Sequence, residues 1–223
     1  MLNPMPKTFN YDPPTDPWLS ILYEDEAMLA CDKPSGLLSV PGKDPALFDS
    51  LQSRVLDAYP GAGTVHRLDK DTSGIMLFAK TKAAHGKLGM QFEKRQTKKT
   101  YFARVWGEMA EDDGLVDLPL ATDWEHKPRQ RVDYERGRAA QSRWRVIARE
   151  GGTTRVELTP VTGRTHQLRV HMMELGHPIL GDPFYATGAA LDAADRLQLH
   201  AAYLALRHPL SGDEIAFTAP VPF

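Results

Sequence analysis

Short apolar runs that alternate with polar residues dominate the hydrophobic pattern of this chain. Alternation with a period of two is typical of β-strands with one buried face, and a continuous apolar run is typical of a strand buried on both faces. Turn signals such as Lys33-Pro34-Ser35-Gly36 separate these runs. The pattern predicts strands at positions 21–23, 27–31, 74–79, 101–106, 142–147, 154–158, 197–206 and 215–217.

Helical spacing is confined to a few short segments. Leu47, Leu51 and Val55 recur at helical intervals, and Pro60 ends the helix that they predict. Between positions 107 and 140, glycine, aspartate and proline interrupt the pattern, so element boundaries are weakest there. Many strands with few, scattered helices indicate an α+β fold with an antiparallel or mixed sheet. Two further helices are predicted, at 82–95 and at 165–175.

The composition is that of an ordinary globular protein, with 223 residues of which 42% are apolar and 25% are charged. The single cysteine, Cys31, excludes an internal disulfide framework. No apolar run is long enough to span a membrane, and residues 1–18 carry neither a signal core nor an Arg-rich transit pattern. Elimination therefore predicts a cytoplasmic protein. The prolines of residues 1–17 predict an extended tail, which is followed by one domain at 18–223.

The net charge of −2 argues against an indiscriminate nucleic-acid binder, which usually carries a large basic excess. Basic residues are nevertheless concentrated in two stretches, at 94–99 and at 129–145. Local basic stretches on a neutral molecule fit a protein that binds a small RNA element and releases it. The alternative interpretation is that both stretches are solvated faces.

The densest polar cluster occupies positions 66–74, between two apolar runs. Arg67 and Asp69 are separated by one residue, so an extended backbone directs their side chains to the same side. The Thr72-Ser73-Gly74 segment that follows supplies hydroxyl groups and a permissive hinge. Charged residues rarely lie beside a buried strand unless they are paired or functional. The cluster is either a reactive site or an ion pair that caps a strand.

A second polar cluster, at positions 163–171, follows a predicted strand and opens a predicted helix. Arg164 falls at the helix start, where exposed backbone donors also favour an anion. Helical spacing places His166 and Arg169 on one face, and Gln167 and His171 on another. Two histidines five positions apart do not share a helical face well, so the cluster does not predict a metal site.

A third candidate is Tyr101, which follows Lys98, Lys99 and Thr100 in an alternating strand. A tyrosine in such a strand usually belongs to the core.

The segment from Val65 to Gly74 closely resembles the catalytic motif of the RluA family of pseudouridine synthases. Other segments occur in the order that this family shows, and the resemblance runs from about Pro17 to the end of the chain. The Cys31-Asp32 pair before Lys33 is a small departure, since relatives often carry Asn there. The chain resembles the short members that lack an added S4 domain. The other segments are Lys-Pro-Ser-Gly, Lys-Lys-Thr-Tyr, Gly-Arg-Thr-His-Gln-Leu-Arg-Val-His, Gly-His-Pro-Ile-Leu-Gly-Asp and Leu199-His200-Ala201.

The resemblance implies the pseudouridine synthase fold, a mainly antiparallel mixed sheet with few helices around a central active-site cleft. It also implies an isomerase in which Asp69 is the catalytic carboxylate, Arg164 its partner and Tyr101 a residue against the uracil face. Asp69 attacks C1′ or removes a proton from C2′, and Tyr101 stacks on the base or relays its C5 proton. The reaction changes no oxidation state, so no cofactor and no metal are expected.

The resemblance further implies structured RNA as the partner, in stem-loops of 23S ribosomal RNA and of tRNA anticodon arms, with no membrane and a monomeric enzyme. Three rival hypotheses stay open. One is an enzyme of the same family that acts on one RNA class, another a non-catalytic RNA-binding protein, and the third a metal-dependent hydrolase using His66, Asp69, His166 and His171. The predicted RNA-binding residues are His66, Arg67, Thr72, Lys98, Lys99, Arg129, Arg131, His166, Gln167, Arg169 and Leu199.

Overall fold

The computed structural model describes residues 11–223, which contain strands and four α-helices in the following order. The strands are β1 (Ile21–Glu24), β2 (Met28–Lys33), β3 (Gly63–Thr64), β4 (Ser73–Ala79), β5 (Lys98–Trp106), β6 (Asp113–Asp117), β7 (Leu120–Thr122), β8 (Gln130–Val132), β9 (Gln141–Arg149), β10 (Thr153–Pro160), β11 (Leu199–Arg207) and β12 (Glu214–Thr218). The helices are α1 (Leu51–Ala58), α2 (Lys82–Glu93), α3 (Gln167–Glu174) and α4 (Ala189–Asp192).

The chain forms two compact units. The flanking unit contains the described residues up to Lys99 together with His200–Pro222. The central unit contains Thr100–Leu199 and Phe223. Each unit has its own hydrophobic core, so the two are described separately.

The sheet of the flanking unit is mixed and has β4 near its centre. Every residue of β4 is buried, as its continuous apolar run predicts. β4 pairs antiparallel with β2 and β3, and parallel with β11. Gly74 lies in this parallel pairing with a φ of 112°, and a Cβ there would lie 2.3 Å from the carbonyl oxygen of Ala201. Gly74 therefore permits a close approach of two strands, where the sequence predicted a hinge.

Two capped helices complete the flanking unit. Ser50 precedes α1, and its side chain accepts the Ser53 amide while the Ser53 hydroxyl accepts the Ser50 amide. Thr81 caps α2 by accepting the Ala84 amide. Leu88 of α2 is fully buried in the core of this unit. The predicted helix at 82–95 is confirmed with an end at Glu93.

The central unit is an antiparallel sheet in the order β5-β10-β9-β6, with a separate β7–β8 hairpin. Its core packs apolar residues of these strands against α3, including Val105, Val156, Leu158 and Met172. The hairpin and β6 occupy the region 107–140 in which the sequence pattern was interrupted. Short strands with glycine and aspartate at their ends leave too few alternating positions for a periodic signal.

Helix α3 begins two residues later than the predicted start at 165. His166 precedes the helix in the left-handed conformation, with a φ of 53°. The expectation that His166 and Arg169 share a helical face is therefore wrong, because His166 lies outside the helix. Gln167 and His171 both lie in α3, and both contact the Ser142 hydroxyl.

The predicted tail at 1–17 falls largely outside the described residues. Its described part, residues 11–17, contains no helix or strand, and the Tyr11 hydroxyl donates to the Asp49 carbonyl oxygen at 2.7 Å. The division into a tail and one catalytic domain stays a prediction. Across residues 11–223, no helix has the length and apolar character needed to cross a membrane.

Candidate active site

The loop at residues 65–72, called the Asp69 loop, connects β3 to β4 in the flanking unit. Its main support is Lys33 at the end of β2, whose side chain is completely buried. The Lys33 ammonium donates to the carbonyl oxygens of Pro34 at 2.9 Å, Leu37 at 2.7 Å and Lys70 at 2.8 Å. A buried cation is tolerated here because charge-assisted hydrogen bonds replace its hydration. Lys33 thereby fixes the backbone beside Asp69.

Further bonds come from the supporting segment, defined as residues 33–39. The Gly36 amide donates to the Lys70 carbonyl oxygen at 3.0 Å, and the Ser35 hydroxyl donates to the Asp71 carbonyl oxygen at 2.7 Å. Ser39 donates its hydroxyl to the Leu68 carbonyl oxygen at 2.6 Å and accepts the Leu68 amide at 3.0 Å. The segment that the sequence predicted as a simple turn therefore holds the backbone on both sides of Asp69.

His66 holds the start of the Asp69 loop against β4. Its Nε2 accepts the Leu77 amide at 3.0 Å, and its ring stacks on Phe92 with centroids 4.3 Å apart. Removal from water and the nearby Lys99 cation lower the pKa of His66 to about 3. The imidazole is therefore neutral at physiological pH, with its proton on Nδ1, because Nε2 is an acceptor.

The other predicted residues of the Asp69 loop differ in exposure. Asp69 is half-buried and Arg67 is exposed. Thr72 is 2% exposed, and its hydroxyl has no hydrogen-bond partner among residues 11–223. The Lys70 ammonium lies 3.2 Å from the Asp71 carboxylate, which agrees with a structural rather than reactive role for Asp71.

The loop at residues 161–166, called the Arg164 loop, connects β10 to α3 in the central unit. Arg164 is half-buried; its Nε donates to the Ala139 carbonyl oxygen at 3.2 Å. Its amide donates to the Gln167 side-chain oxygen at 3.0 Å. The sequence placed Arg164 at the helix start, but two residues, Thr165 and His166, separate it from the first residue of α3.

Gln167 is the centre of a buried side-chain network. Its Oε1 accepts the Thr162 hydroxyl at 2.7 Å, and its Nε2 donates to the Gln141 carbonyl oxygen and to the Ser142 hydroxyl, both at 2.9 Å. The network continues to His171, whose Nδ1 lies 2.8 Å from the Ser142 hydroxyl. Both ends of the Gln167 amide are used within the protein, and these contacts favour a role in positioning the Arg164 loop.

Two further predicted residues are also committed inside the central unit. Arg169 is 1% exposed and forms two hydrogen bonds with the Asp182 carboxylate, at 2.8 Å and 2.7 Å. The His166 Nδ1 lies 2.7 Å from the Tyr185 hydroxyl, which also accepts the Gln130 amide. A hydroxyl that accepts from an amide retains its proton for donation to the imidazole. These contacts favour a positioning role for Arg169 and His166.

The remaining candidates separate into exposed and buried groups. Lys98 and Arg131 are exposed; Lys99 is half-buried, and burial together with Arg95 lowers its pKa. Arg129 and Leu199 are 2% and 3% exposed, and Leu199 belongs to the hydrophobic core of the central unit. Tyr101 is half-buried in β5 and packs against the same core. Exposure thus favours Lys98 and Arg131 over Arg129 and Leu199 as contacts to a large ligand.

The three predicted catalytic residues divide between the units: Asp69 belongs to the flanking unit, and Tyr101 and Arg164 belong to the central unit. Within the described part of the chain, no group of three or more His, Cys, Asp or Glu residues is arranged to hold a metal ion. The three predicted catalytic side chains are a carboxylate, a phenol and a guanidinium group, and each lies on a loop or strand of defined structure.

The sequence profile of a family described as RNA pseudouridylate synthase matches residues 27–174, which include both loops. The chain belongs to this family and is an isomerase that acts on uridines in RNA. The chain is 53% identical over 215 residues to the dual-specificity RNA pseudouridine synthase RluA of Salmonella typhi, covering 96% of this chain and 98% of the relative. It is 52% identical to the protein of that name from Escherichia coli, with the same coverage.

Solved structures agree with this assignment. Human RNA Pseudouridylate Synthase Domain Containing 1 matches with a TM-score of 0.77 and 30% identity, over 92% of this chain and 84% of that chain. Human RNA Pseudouridylate Synthase Domain Containing 4 shares the fold, with a TM-score of 0.75. The predicted α+β fold with a mixed, mainly antiparallel sheet and few helices is confirmed.

Several residues that build the site were not singled out individually from the sequence. Ser39 follows the Lys-Pro-Ser-Gly segment and looked like ordinary turn sequence. Asp182 ends the Gly-His-Pro-Ile-Leu-Gly-Asp segment, so a signal for it was available in the order of the motifs. Tyr185 carried no such signal, because only the folded chain brings its hydroxyl to His166.

Proposed function

We propose that this enzyme isomerises uridines in stem-loops of both 23S ribosomal RNA and tRNA anticodon arms, with Asp69 as the catalytic carboxylate. In the reaction the bond between N1 and C1′ breaks, the uracil rotates, and C5 bonds to C1′. The proton on C5 is then lost and N1 regains one, so atoms and oxidation state balance. No cofactor is required by this chemistry.

The observation that carries the role of Asp69 is the number of hydrogen bonds that fix its neighbours. Leu68, Lys70 and Asp71 each have a carbonyl oxygen bound by the supporting segment. A carboxylate that must meet one carbon of the ribose needs such positioning, because small displacements reduce the rate strongly. Asp69 acts either as a nucleophile at C1′ or as a base at C2′, and both routes require the ionised carboxylate.

Arg164 and Tyr101 are proposed to act on the same uridine as Asp69. The Gln167 side chain binds the Arg164 amide and so fixes the backbone from which the Arg164 guanidinium extends. Tyr101 lies in a strand rather than a loop, which favours a rigid stacking surface with a hydroxyl at its end. Replacing Tyr101 with Phe separates stacking from proton relay, because Phe retains the ring and lacks the hydroxyl.

The RNA is proposed to contact exposed cations, mainly Arg67, Lys98 and Arg131. Lys98 forms an ion pair with Glu214 at 3.0 Å, but both side chains are exposed, so a phosphate can replace this weak partner. Loop bases are the expected targets because they can be splayed out and stacked on planar side chains. We further propose a monomer that works in the cytoplasm.

The dual target is supported by the relatives, which carry the words dual-specificity in their names. The test is to map pseudouridine across all RNA of a strain that lacks the gene. Loss of pseudouridine from both 23S ribosomal RNA and tRNA, restored by the wild-type gene and not by Asp69→Asn, is the expected result. Loss from one class alone would reduce the proposal to a single-class enzyme.

A further inference from the structure

The β7–β8 hairpin of the central unit presents an aromatic residue to solvent at its tip. Trp124 is 74% exposed, although tryptophan is normally among the more buried residues. The Lys127 ammonium lies over its ring, 3.7 Å from the centroid. A single exposed aromatic residue carries little meaning, but an exposed indole offers a flat face on which a nucleobase can stack, and a cation beside it favours the phosphate. Lys127 is itself exposed, so its ammonium can leave the ring for a phosphate.

The loop that carries Trp124 has a defined structure. Asp123 is buried, and its Oδ1 accepts the amides of Glu125 at 3.2 Å and His126 at 3.3 Å. Its Oδ2 lies 3.0 Å from the His126 Nδ1. A carboxylate that closes the turn in this way fixes the backbone on the C-terminal side of Trp124. The indole is therefore presented on an ordered loop, which lowers the entropy cost of binding.

The base of the hairpin is bonded to the segment that contains the Arg164 loop. The Gln130 amide donates to the Tyr185 hydroxyl at 2.8 Å, and that hydroxyl bonds to His166. Arg164 donates to the carbonyl oxygen of Ala139. The preceding residue, Arg138, pairs with Leu120 at the start of β7. The hairpin and a predicted catalytic residue are thus held in one hydrogen-bonded assembly, all within the central unit.

We propose that Trp124 and Lys127 form a stacking site for a base of the substrate stem-loop other than the reacting uridine. This inference rests on the proposed function, since it assumes a loop RNA with splayed bases. The indole supplies the stacking surface, and Lys127 supplies a cation near the adjoining phosphate. The site selects loops that have an unpaired base within reach and rejects continuous duplex.

An RNA base fits this surface better than a second copy of the chain. Trp124 is followed by the exposed residues Glu125, His126 and Lys127. Lysine and glutamate are depleted in the core of interfaces between proteins, so these neighbours disfavour contact with a second copy. The carboxylates of Asp123 and Asp133 accept hydrogen bonds from backbone amides, which partly offset their negative charge. They therefore repel an anionic ligand less than two free carboxylates would.

The test compares Trp124→Ala with Trp124→Phe in the inactive Asp69→Asn background, using a fluorescently labelled anticodon-arm hairpin. We expect Trp124→Ala to weaken binding roughly 5- to 150-fold in Kd, the range of one stacked base. Trp124→Phe should remain within about threefold, because an aromatic ring is kept. RNA should quench the tryptophan fluorescence of the parent protein, and the Trp124→Phe variant should lose that part of the signal.

The matched control is Phe48→Ala, which removes an exposed aromatic residue of the flanking unit that is 65% exposed. The control should leave the Kd unchanged. Equal affinity of Trp124→Ala and its parent would overturn the stacking site. The oligomeric state is measured by analytical sedimentation. If Trp124→Ala dissociates a dimer and leaves the RNA affinity unchanged, the stacking site is overturned and Trp124 serves self-association. If binding depends on Trp124 but the enzyme with Asp69 intact forms no pseudouridine in the hairpin, the target assignment fails and the stacking site stands.

Discussion

The Asp69 loop and the Arg164 loop are held in place by different kinds of bonds. Around Asp69, the supporting segment binds main-chain carbonyl oxygens of the loop. Around Arg164, buried side chains bind one another, as in the chain from Gln167 through Ser142 to His171. Apart from His66, whose ring holds the start of the loop, the first arrangement does not depend on the identity of the loop side chains, whereas the second requires each of its members.

This difference has a consequence for the loop sequences. Every residue offers the same carbonyl oxygen, so the bonds from the supporting segment place no requirement on the side chain at position 69. In the Arg164 loop the motif residues themselves form the support, and removal of one leaves a buried partner unsatisfied. Substitutions in the Asp69 loop should therefore affect activity first, and substitutions after Arg164 should affect stability first.

The largest expected effect is that of Asp69→Asn on turnover. Asn has nearly the same shape but is neither a nucleophile nor a base, so kcat should fall by about a thousandfold or more. The melting temperature and the RNA affinity should change little, because the loop is held through its backbone. Asp71→Asn, two positions away, is the matched control and should keep most activity. Retention of a tenth of the wild-type rate by Asp69→Asn would remove Asp69 from its role.

The next largest effect is that of Arg169→Ala on stability. This substitution leaves the Asp182 carboxylate buried without its guanidinium partner, which should cost about 3–5 kcal/mol of the free energy of unfolding. Urea unfolding followed by fluorescence measures this loss. The control is Arg145→Ala, since Arg145 pairs with Glu157 at 3.1 Å while 62% exposed and should contribute under about 1 kcal/mol. Equal losses in the two variants would contradict the comparison.

The sequence predicted most of the flanking unit well. The apolar runs of β4 and of its neighbour β2 reflect nearly continuous burial directly, so the hydrophobic pattern predicts both strands. In the central unit, β6, β7 and β8 have three to five residues each, which is too short for periodicity. The left-handed backbone conformation of His166 could not be predicted either. It coincides with a hydrogen bond from its side chain to Tyr185, which is distant in sequence, and no local sequence pattern indicates it.

The candidate site was predicted through its motifs, and its support was not. The polar cluster beside a buried strand left a reactive site and an ion pair open, and the family resemblance pointed to Asp69. Nothing local links Asp69 to Lys33 or Ser39, which lie 36 and 30 positions earlier in the chain. Likewise, residue type alone suggested RNA contacts for Arg129 and Arg169, which are 2% and 1% exposed. Burial is a property of the folded chain, and the sequence alone does not distinguish a buried cationic side chain from an exposed one.

A smaller effect is expected for Lys33→Met, which tests the backbone support of Asp69. Met has a similar volume but leaves the carbonyl oxygens of Pro34, Leu37 and Lys70 without this donor. The free energy of unfolding should fall by about 2–3 kcal/mol, and kcat should fall about tenfold because the backbone beside Asp69 loosens. Lys43→Met, at an exposed position, is the control for loss of one positive charge. An unchanged kcat in a destabilised Lys33→Met enzyme would show that the support serves folding alone.

The smallest effect concerns Asp25, whose carboxylate accepts several hydrogen bonds in the flanking unit. Asp25 shows that this unit also contains a side chain with a supporting role. Burial alone would raise its pKa, but hydrogen bonds from Tyr23, from two backbone amides and from His208 lower the pKa to about 2. Because the folded pKa lies below the ordinary value of 3.8, the ionised carboxylate favours the folded state. This stabilisation is complete above about pH 5 and is lost as the pH falls from about 4 to about 2.

Asp25→Asn should therefore lower the free energy of unfolding by about 1–2 kcal/mol at pH 7 and make it less dependent on pH in the acid range. Urea unfolding at a series of pH values measures both changes. The neighbouring Glu26 is exposed, so Glu26→Gln should leave both quantities unchanged. Turnover at pH 7 should be kept in both variants, since Asp25 contacts the turn after β1 and His208 rather than the Asp69 loop. A loss of turnover in Asp25→Asn that exceeds its loss of folded protein would mean that the Asp25 side chain also positions the Asp69 loop. The Asp69 loop would then depend on side-chain bonds as well as on main-chain bonds, as the Arg164 loop does.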